Sequence, residues 1–334
     1  MTSQKESTTT TSTATIVAQQ SRTAGRLLLS GGTVVALILL VAFFFAMRPD
    51  TFLSFVNVRN ILYQVSILAI IAGAQTIVMV VGDFDLSVGA TSSLAGSVAA
   101  ALMIADDPTS VPVAILAGLG VGLLVGLING VLIAYLNLSA FVATLATMTS
   151  VVGLAYLVTA GTTLFGMPDS FTQLGQGRFL NIPLPVYFAI VISLVIWAML
   201  RFTTVGRRWH AIGGNVEVAR LSGVNVRFAR LLAFTLAGFV SAIGGILLAA
   251  RLGSASAEQG GDNMMFSVAA VFLGMTVIRS GAANLGGTMI GVAIIGVMSN
   301  GLNILGVNAY IQQVVTGIII IAAVTLSSLR HRER

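Results

Sequence analysis

Apolar and polar positions follow each other along this chain on the scale of a bilayer rather than of a helix turn. From Leu27 onward, runs of Leu, Val, Ile, Ala and Gly recur near 27–47, 61–81, 86–105, 112–135, 141–160, 184–200, 231–250, 264–279, 287–304 and 310–329. A helix needs about 20 apolar residues to cross a hydrocarbon core of about 30 Å. The pattern therefore predicts an all-α integral membrane protein with about ten transmembrane helices. The eighth and ninth runs are the weakest, because glycine and polar residues interrupt 279–287. Residues 1–25, rich in Ser, Thr and Gln, read as a disordered tail. That tail is too polar, and too long before the first apolar run, to be an ordinary signal peptide. The expected division is a tail over 1–25, a transmembrane domain over 26–330 and a basic C-terminus over 331–334.

Composition agrees with the pattern and removes several function classes. Of 334 residues, 56% are hydrophobic and 8% charged, against roughly 25% charged in a soluble domain. Mean hydropathy is +0.98. Cysteine is absent, which excludes disulfides and thiol chemistry. The two histidines, His210 and His331, lie in basic stretches, and no H-E-x-x-H or G-x-S-x-G occurs. The only lysine is Lys5, so the chain holds no G-x-x-x-x-G-K-[ST] phosphate loop. No metal site is expected.

Charge sets the expected orientation. With ten spans, both termini share one side with the segments near 82–86, 136–140, 201–230 and 279–286. That side carries 13 of the 17 basic residues, and the other keeps Arg48, Arg59, Arg178 and Arg251. Lys and Arg accumulate on the cytoplasmic side, so the termini and the 201–230 segment are expected there. The net charge of +6 is then a topology signal, and no basic face on a folded domain points to nucleic acid.

The 36 glycines are patterned. Gly118, Gly122, Gly126 and Gly130 share one face of the fourth run, where small residues let helix backbones approach. Asn129-Gly130, with Asn137 and Ala140-Phe141 beyond it, is mirrored by Asn300-Gly301, with Asn308 and Ala309-Tyr310. This pairs runs four and five with nine and ten. Five spans apart, the partners run in opposite directions, as in the inverted repeats of transporters.

Asp83 and Asp85 are the acids between the second and third runs. Carboxylates beside hydrocarbon suggest a solute or ion route, but Asp85-Leu86-Ser87 equally suits the cap of the third helix. Asn129, Asn300, Asn303, Gln312 and Gln313 lie in or near spans, where they either tie helices together or line a polar path. The outer segment 161–183 reads as a connector whose Gln173, Gln176 and Asn181 could meet a polar ligand. In 201–230, Asn215 through Gly223 reads as one short bounded helix. Asn215 is its N-cap, Glu217 suits the first turn, Arg220 the last, and Gly223 ends it. Val218 and Leu221 share one side, as a segment docking on a partner would have them.

These residues carry a resemblance. Gly82-Asp83-Phe84-Asp85-Leu86-Ser87-Val88-Gly89 resembles the G-G-I-D-L-S-V-G signature of permease subunits of bacterial monosaccharide ABC importers of the ribose, xylose and arabinose type. Phe141 through Met148 is similar to that family's F-I-A-T-L-G-T-M segment. Gly206 through Gly223 is similar to its cytoplasmic loop ending A-A-R-L-S-G, and Asn300 through Val307 matches N-G-L-N-L-L-G-V. Together these span about residues 55–328.

The resemblance implies a type II-like ABC importer permease fold of ten spans in the bacterial inner membrane, with a second permease subunit completing the pathway. It also implies a cytoplasmic ATPase that carries the ATP and Mg, this chain binding no cofactor itself, and an extracytoplasmic solute-binding protein. Asn215, Glu217, Val218, Ala219, Arg220, Leu221, Ser222 and Gly223 would then form the helix that takes up motion from the ATPase. Asp83, Asp85, Ser87, Asn129, Phe141, Asn300 and Asn303 are the pathway candidates. Asp83 stands where the family has a second glycine, and the L-G-G-x-S-x-x-G-G-x-G run appears here as Leu273 through Asn284, which leaves the sugar open. The competing reading is an ion-coupled secondary transporter using Asp83 and Asp85. A membrane enzyme is disfavoured by the lack of cysteine, of intramembrane histidine and of paired motif acids.

Overall fold

The computed structural model describes residues 33–276 and 281–332. The tail expected over 1–25, Arg279 and the last two residues lie outside the described residues.

Apolar helices occupy the predicted runs. Six are long and apolar enough to cross a membrane: α3 (Phe55–Val80), α5 (Val111–Ala134), α6 (Ala140–Thr159), α8 (Leu184–Phe202), α11 (Val226–Leu252) and α13 (Leu285–Ile304). Shorter apolar helices fill the other runs: α1 (Thr33–Met47), α4 (Val88–Ile104), α12 (Gly261–Met275) and the stretch Tyr310–Ile319 of α14 (Ala309–Arg332). The short α2 (Pro49–Phe52) enters α3 through Ser54, whose side chain accepts from Asn57 N–H.

Two regions of the sequence hold more structure than their composition suggests. Segment 201–230 contains α9 (Thr204–Gly214) as well as α10 (Val216–Leu221). The signals for α9 were the Thr203 N-cap and the i, i+3 pair Trp209 and Ile212, both now fully buried. Segment 161–183 contains α7 (Asp169–Gln176) and three two-residue strands. Leu164–Phe165 (β1) pairs antiparallel with Ser254–Ala255 (β4), and Arg178–Phe179 (β2) with Ile182–Pro183 (β3). The second pair turns through Leu180 and Asn181, both at positive φ, the backbone a tight hairpin requires.

Helices α3 and α11 pack on each other at the centre. In their most apolar stretches 72% and 67% of residues are buried, against 22% in α8, so α8 belongs to the rim. The most extensive contact joins α11 to α5. A Cβ on Gly126 would strike the Phe234 carbonyl, one on Gly122 would strike Ala242 and the Gly238 carbonyl, and one on Gly130 would lie 2.9 Å from Leu231 Cα. Gly118 instead faces the Ala95 carbonyl of α4, at 2.7 Å from such a Cβ. The helix contacts also come in matching sets. Helix α11 lies on α5 and α4, as α3 lies on α13 and α12, while α4 lies on α5 and α6, as α12 lies on α13 and α14.

Candidate functional site

Helix α3 ends at Val80 because Gly82 takes φ +89°, a backbone turn that side chains disfavour. The chain then crosses to α4 through a polar connector that ties four helices together. Asp83 places Oδ2 2.9 Å from Arg230 Nε near the start of α11. The Asp85 carboxylate is buried and accepts from Ser87 N–H at 2.7 Å and from Ser87 Oγ at 2.6 Å. Asn129 of α5 donates its Nδ2 to the same Ser87 Oγ at 2.8 Å. Leu86 N–H donates to Thr144 Oγ1 of α6 at 3.2 Å. Burial pushes both carboxyls up from the ordinary range, opposed by Arg230 at Asp83 and by the Ser87 bonds at Asp85. Asp85 therefore holds the entry of α4 by fixing Ser87, the N-cap residue. Both acids have partners within the fold, and the ion-coupled alternative gains no support. The charge partner Arg230 and the hydroxyl of Thr144 were not singled out from sequence, because each is brought to the connector from a distant helix.

On the same end of the molecule, α10 stands out from the helix ends. Asn215 Oδ1 accepts from Glu217 N–H and Val218 N–H, both at 3.0 Å, and Gly223 leaves the helix at φ +81°. Val218 and Leu221 are 59% and 81% exposed, while Ala219 is buried. Glu217 and Arg220 pair at 2.6 Å in solvent, and Ser222 Oγ donates to Val218 O at 2.8 Å. The base beneath α10 is firm. Trp209 is fully buried and donates Nε1–H to Ala229 O of α11 at 2.8 Å, and Gly213 lies so close to the Val80 carbonyl that a Cβ there would collide. A displacement of α10 would thus reach α3 and α11, the two central helices.

The other pathway candidates separate. Asn300 is buried and exchanges two bonds with Asn57 of α3, Nδ2 to Oδ1 at 2.9 Å in each direction. Asn303 is exposed and accepts from Gln312 Nε2 at 3.2 Å. Gln313 and Phe141 are exposed, Phe141 on the outer face of α6. Gln176 of the outer segment donates to Arg251 O at 3.1 Å and Asn181 sits in the β2–β3 turn, whereas Gln173 accepts at its carbonyl from Gly177 N–H at 2.8 Å, closing α7. The connector network and the Asn57–Asn300 pair therefore lie in different parts of the bundle rather than in one site.

The interior also holds polar groups that the sequence reading passed over. Gln75, near the C-terminal end of α3, is fully buried, and neither amide atom has a hydrogen-bond partner among the described residues. Ser241 Oγ of α11 shares that condition. A hollow of about 220 Å³ between α3, α11, α12 and α13 is lined in part by Gln64, Arg251, Asn263 and Ser299. No group of three His, Cys, Asp or Glu suited to a metal occurs among the described residues.

A family model, branched-chain amino acid transport system / permease component, matches residues 57–324. The ribose import permease protein RbsC of Bacillus subtilis (strain 168) is 41% identical over 279 residues, 83% of this chain and 86% of that protein. The D-allose transport system permease protein AlsC of Escherichia coli (strain K12) is 34% identical, with 85% and 87% covered. The L-arabinose transport system permease protein AraH of the same strain is 33% identical, with 85% and 86% covered. No solved structure matches.

Proposed function

This chain belongs to the branched-chain amino acid transport system / permease component family, and we propose on that premise that it is the membrane-spanning permease subunit of an ATP-driven monosaccharide importer. Relatives named for ribose, allose and arabinose transport, at 33–41% identity over most of the chain, support a sugar over an amino acid as the solute class. The observation that carries the mechanism is α10, a capped helix with exposed Val218 and Leu221, seated through Trp209 and Gly213 on the ends of α11 and α3. A chain with no phosphate loop of its own must receive work from a separate ATPase, and α10 is where it does so. ATP and Mg bind that partner. The permease makes no covalent bond with its solute: it alternates which end of the bundle is open.

In this reading ten helices cross the bacterial inner membrane, with both termini and α9–α10 cytoplasmic, as the excess of arginine in 201–230 supports. The matching contact sets of α3–α6 and α11–α14 support an inverted repeat, whose pseudo-symmetry relates α3 to α11 and α5 to α13. A second permease subunit covers exposed apolar faces of the bundle, and an extracytoplasmic binding protein delivers the sugar to the end that carries α7. Asp83, Asp85, Ser87 and Asn129 hold the cytoplasmic connector in place rather than bind sugar. Helix packing at Gly118, Gly122, Gly126 and Gly130 keeps α5 on its neighbours.

The test is co-purification from gently solubilised membranes. Wild-type chain should retain an ATPase, and Leu221→Asp should release it while the permease still inserts. Reversing charge at Glu217 and Arg220 together should leave the exposed pair's small contribution to stability almost unchanged yet uncouple uptake from ATP hydrolysis. A chain that purifies alone and moves sugar without ATP refutes the assignment.

A further inference from the structure

Two hollows lie in sequence along one edge of α8. The first, about 580 Å³, opens where α8 ends, between Trp197 and Arg201, Arg207 and His210 of α9, and Asn284 and Leu285 at the start of α13. The second, about 290 Å³, is lined by Ala189 and Ser193 of α8, Val65 and Ala69 of α3, and Met289 of α13, and its open surface is wholly apolar. On α8 the two linings fall at 186, 189, 190, 193, 194, 197, 200 and 201, a single stripe at helical spacing. On α13 they follow from 284–286 to 289. Their linings follow one another along α8 and α13, basic at the mouth and apolar further in, and together mark a groove between these helices.

The charges at the mouth have no acidic partner among the described residues. Among the described residues the ion pairs are Arg220 with Glu217 and Arg230 with Asp83, so neither Arg201 nor Arg207 is matched by an acid. Arg207 donates Nη1–H to the Phe202 carbonyl at 3.4 Å. His210 holds Nδ1 2.8 Å from Gly206 O. Trp197 and Phe202, both exposed, pack edge-on at 5.1 Å beside the mouth, and tryptophan is enriched at the headgroup level of a bilayer. Helix α8 presents most of its surface outward, so the groove opens to the membrane.

We propose that this groove is a binding site for an acidic phospholipid, its phosphate at Arg201, Arg207 and His210 and one acyl chain along the apolar length. Two unmatched cationic side chains select an anionic headgroup over a net-neutral one, because each basic residue near a membrane surface favours anionic lipid. The apolar continuation distinguishes a lipid from free phosphate, which has nothing to place there. The site is independent of the transport assignment above.

The test is native mass spectrometry of the full chain in micelles titrated with phosphatidylglycerol or phosphatidylcholine. Phosphatidylglycerol should be retained preferentially, and the pair Arg201→Gln with Arg207→Gln should weaken its retention about tenfold or more, toward the phosphatidylcholine level. The pair Arg201→Lys with Arg207→Lys keeps both charges and should keep most of the preference, which separates charge recognition from damage to the fold. Ser193→Phe, which fills the apolar length, should lower retention with the arginines intact. Equal retention of the two lipids, undiminished retention in the glutamine pair, or equal loss in the lysine pair overturns the proposal. Thermal stabilisation by inorganic phosphate equal to that by phosphatidylglycerol, with Ser193→Phe silent, assigns the mouth to a free phosphate and overturns the lipid.

Discussion

The contact between α5 and α11 makes a sharp prediction because one helix carries both a test glycine and its own control. A Cβ added at Gly126 would lie 2.9 Å from Thr235 Cα and 3.1 Å from the Phe234 carbonyl carbon, with the Phe234 oxygen closer still. Carbon atoms settle at about 3.5–4.0 Å, so Gly126→Ala requires α5 and α11 to part locally by roughly 0.5 Å or more. The obstacle is backbone on both sides, so no rotamer change relieves it. A gap of that size forfeits about a quarter or more of each neighbouring dispersion contact, and inserting a methyl into a filled interior costs about 1–3 kcal/mol. Against this, alanine gains up to about 1 kcal/mol over glycine in a helix interior. With the full helix-propensity gain, the net expectation for Gly126→Ala is a loss of about 0–2 kcal/mol, and about 1–3 kcal/mol relative to a glycine-to-alanine change that meets no obstacle. Gly120 lies on the same helix with nothing within 4 Å of such a Cβ, so Gly120→Ala should be neutral or gain up to about 1 kcal/mol. Equilibrium unfolding of both variants in mixed micelles, followed by tryptophan fluorescence, gives the difference directly. If Gly126→Ala unfolds together with Gly120→Ala, the backbone contact is not holding α5 to α11, and the reasoning from glycine spacing fails with it.

Three further outcomes are expected. Asn57→Ala and Asn300→Ala each strand a buried amide and should each cost about 1–3 kcal/mol, with the double variant cheaper than the sum; strict additivity in the unfolding cycle would show that the reciprocal pair contributes no coupling. Burial raises the folded-state pKa of Asp85 above its unfolded value, so its contribution to stability is present below the unfolded carboxyl pKa and is lost as pH rises through the folded one. Asp85→Asn keeps an acceptor for Ser87 but cannot ionise, so the wild type should lose stability relative to it with rising pH; a constant gap across that range would refute the burial argument. Gln75→Leu removes two buried polar atoms that have no partner among the described residues and should leave stability unchanged or raised by about 1–3 kcal/mol, and a loss of that size in the same unfolding assay would show that the amide is satisfied in the membrane.

The helices were legible because a bilayer imposes length and apolarity on them, and the apolar runs coincide with helices to within several residues. The boundaries slipped where polar residues belong to a helix. Asn57 and Arg59 precede the apparent start of α3, and Arg227 and Arg230 precede that of α11. Each lies outside the apolar run that marks its helix. The cap of α10 was readable for a different reason: Asn215, Glu217 and Gly223 act within a few residues of one another, so spacing alone fixes their geometry. Helix α9 was missed because its apolar signal, Trp209 and Ile212, is short and embedded among arginines. Its burial depends on α3 and α11 arriving beneath it.

The sequence by itself determined the class of protein, the places of its apolar helices, the lack of a phosphate loop and the bounded helix at α10. Each follows from local composition or from contacts a few residues apart. The tertiary structure decided which helices are central, because α3 and α8 have similar hydropathy and differ only in what surrounds them. In lipid, apolarity no longer tells inside from outside. It also decided the partners of the polar residues, joining Asp83 to Arg230, Asn57 to Asn300 and Asn129 to Ser87. Those bonds cross 147, 243 and 42 positions of chain respectively, the last two as hydrogen bonds, so no spacing rule reaches them. Only packing brings them together, and it does so because a polar group away from water costs more alone than paired.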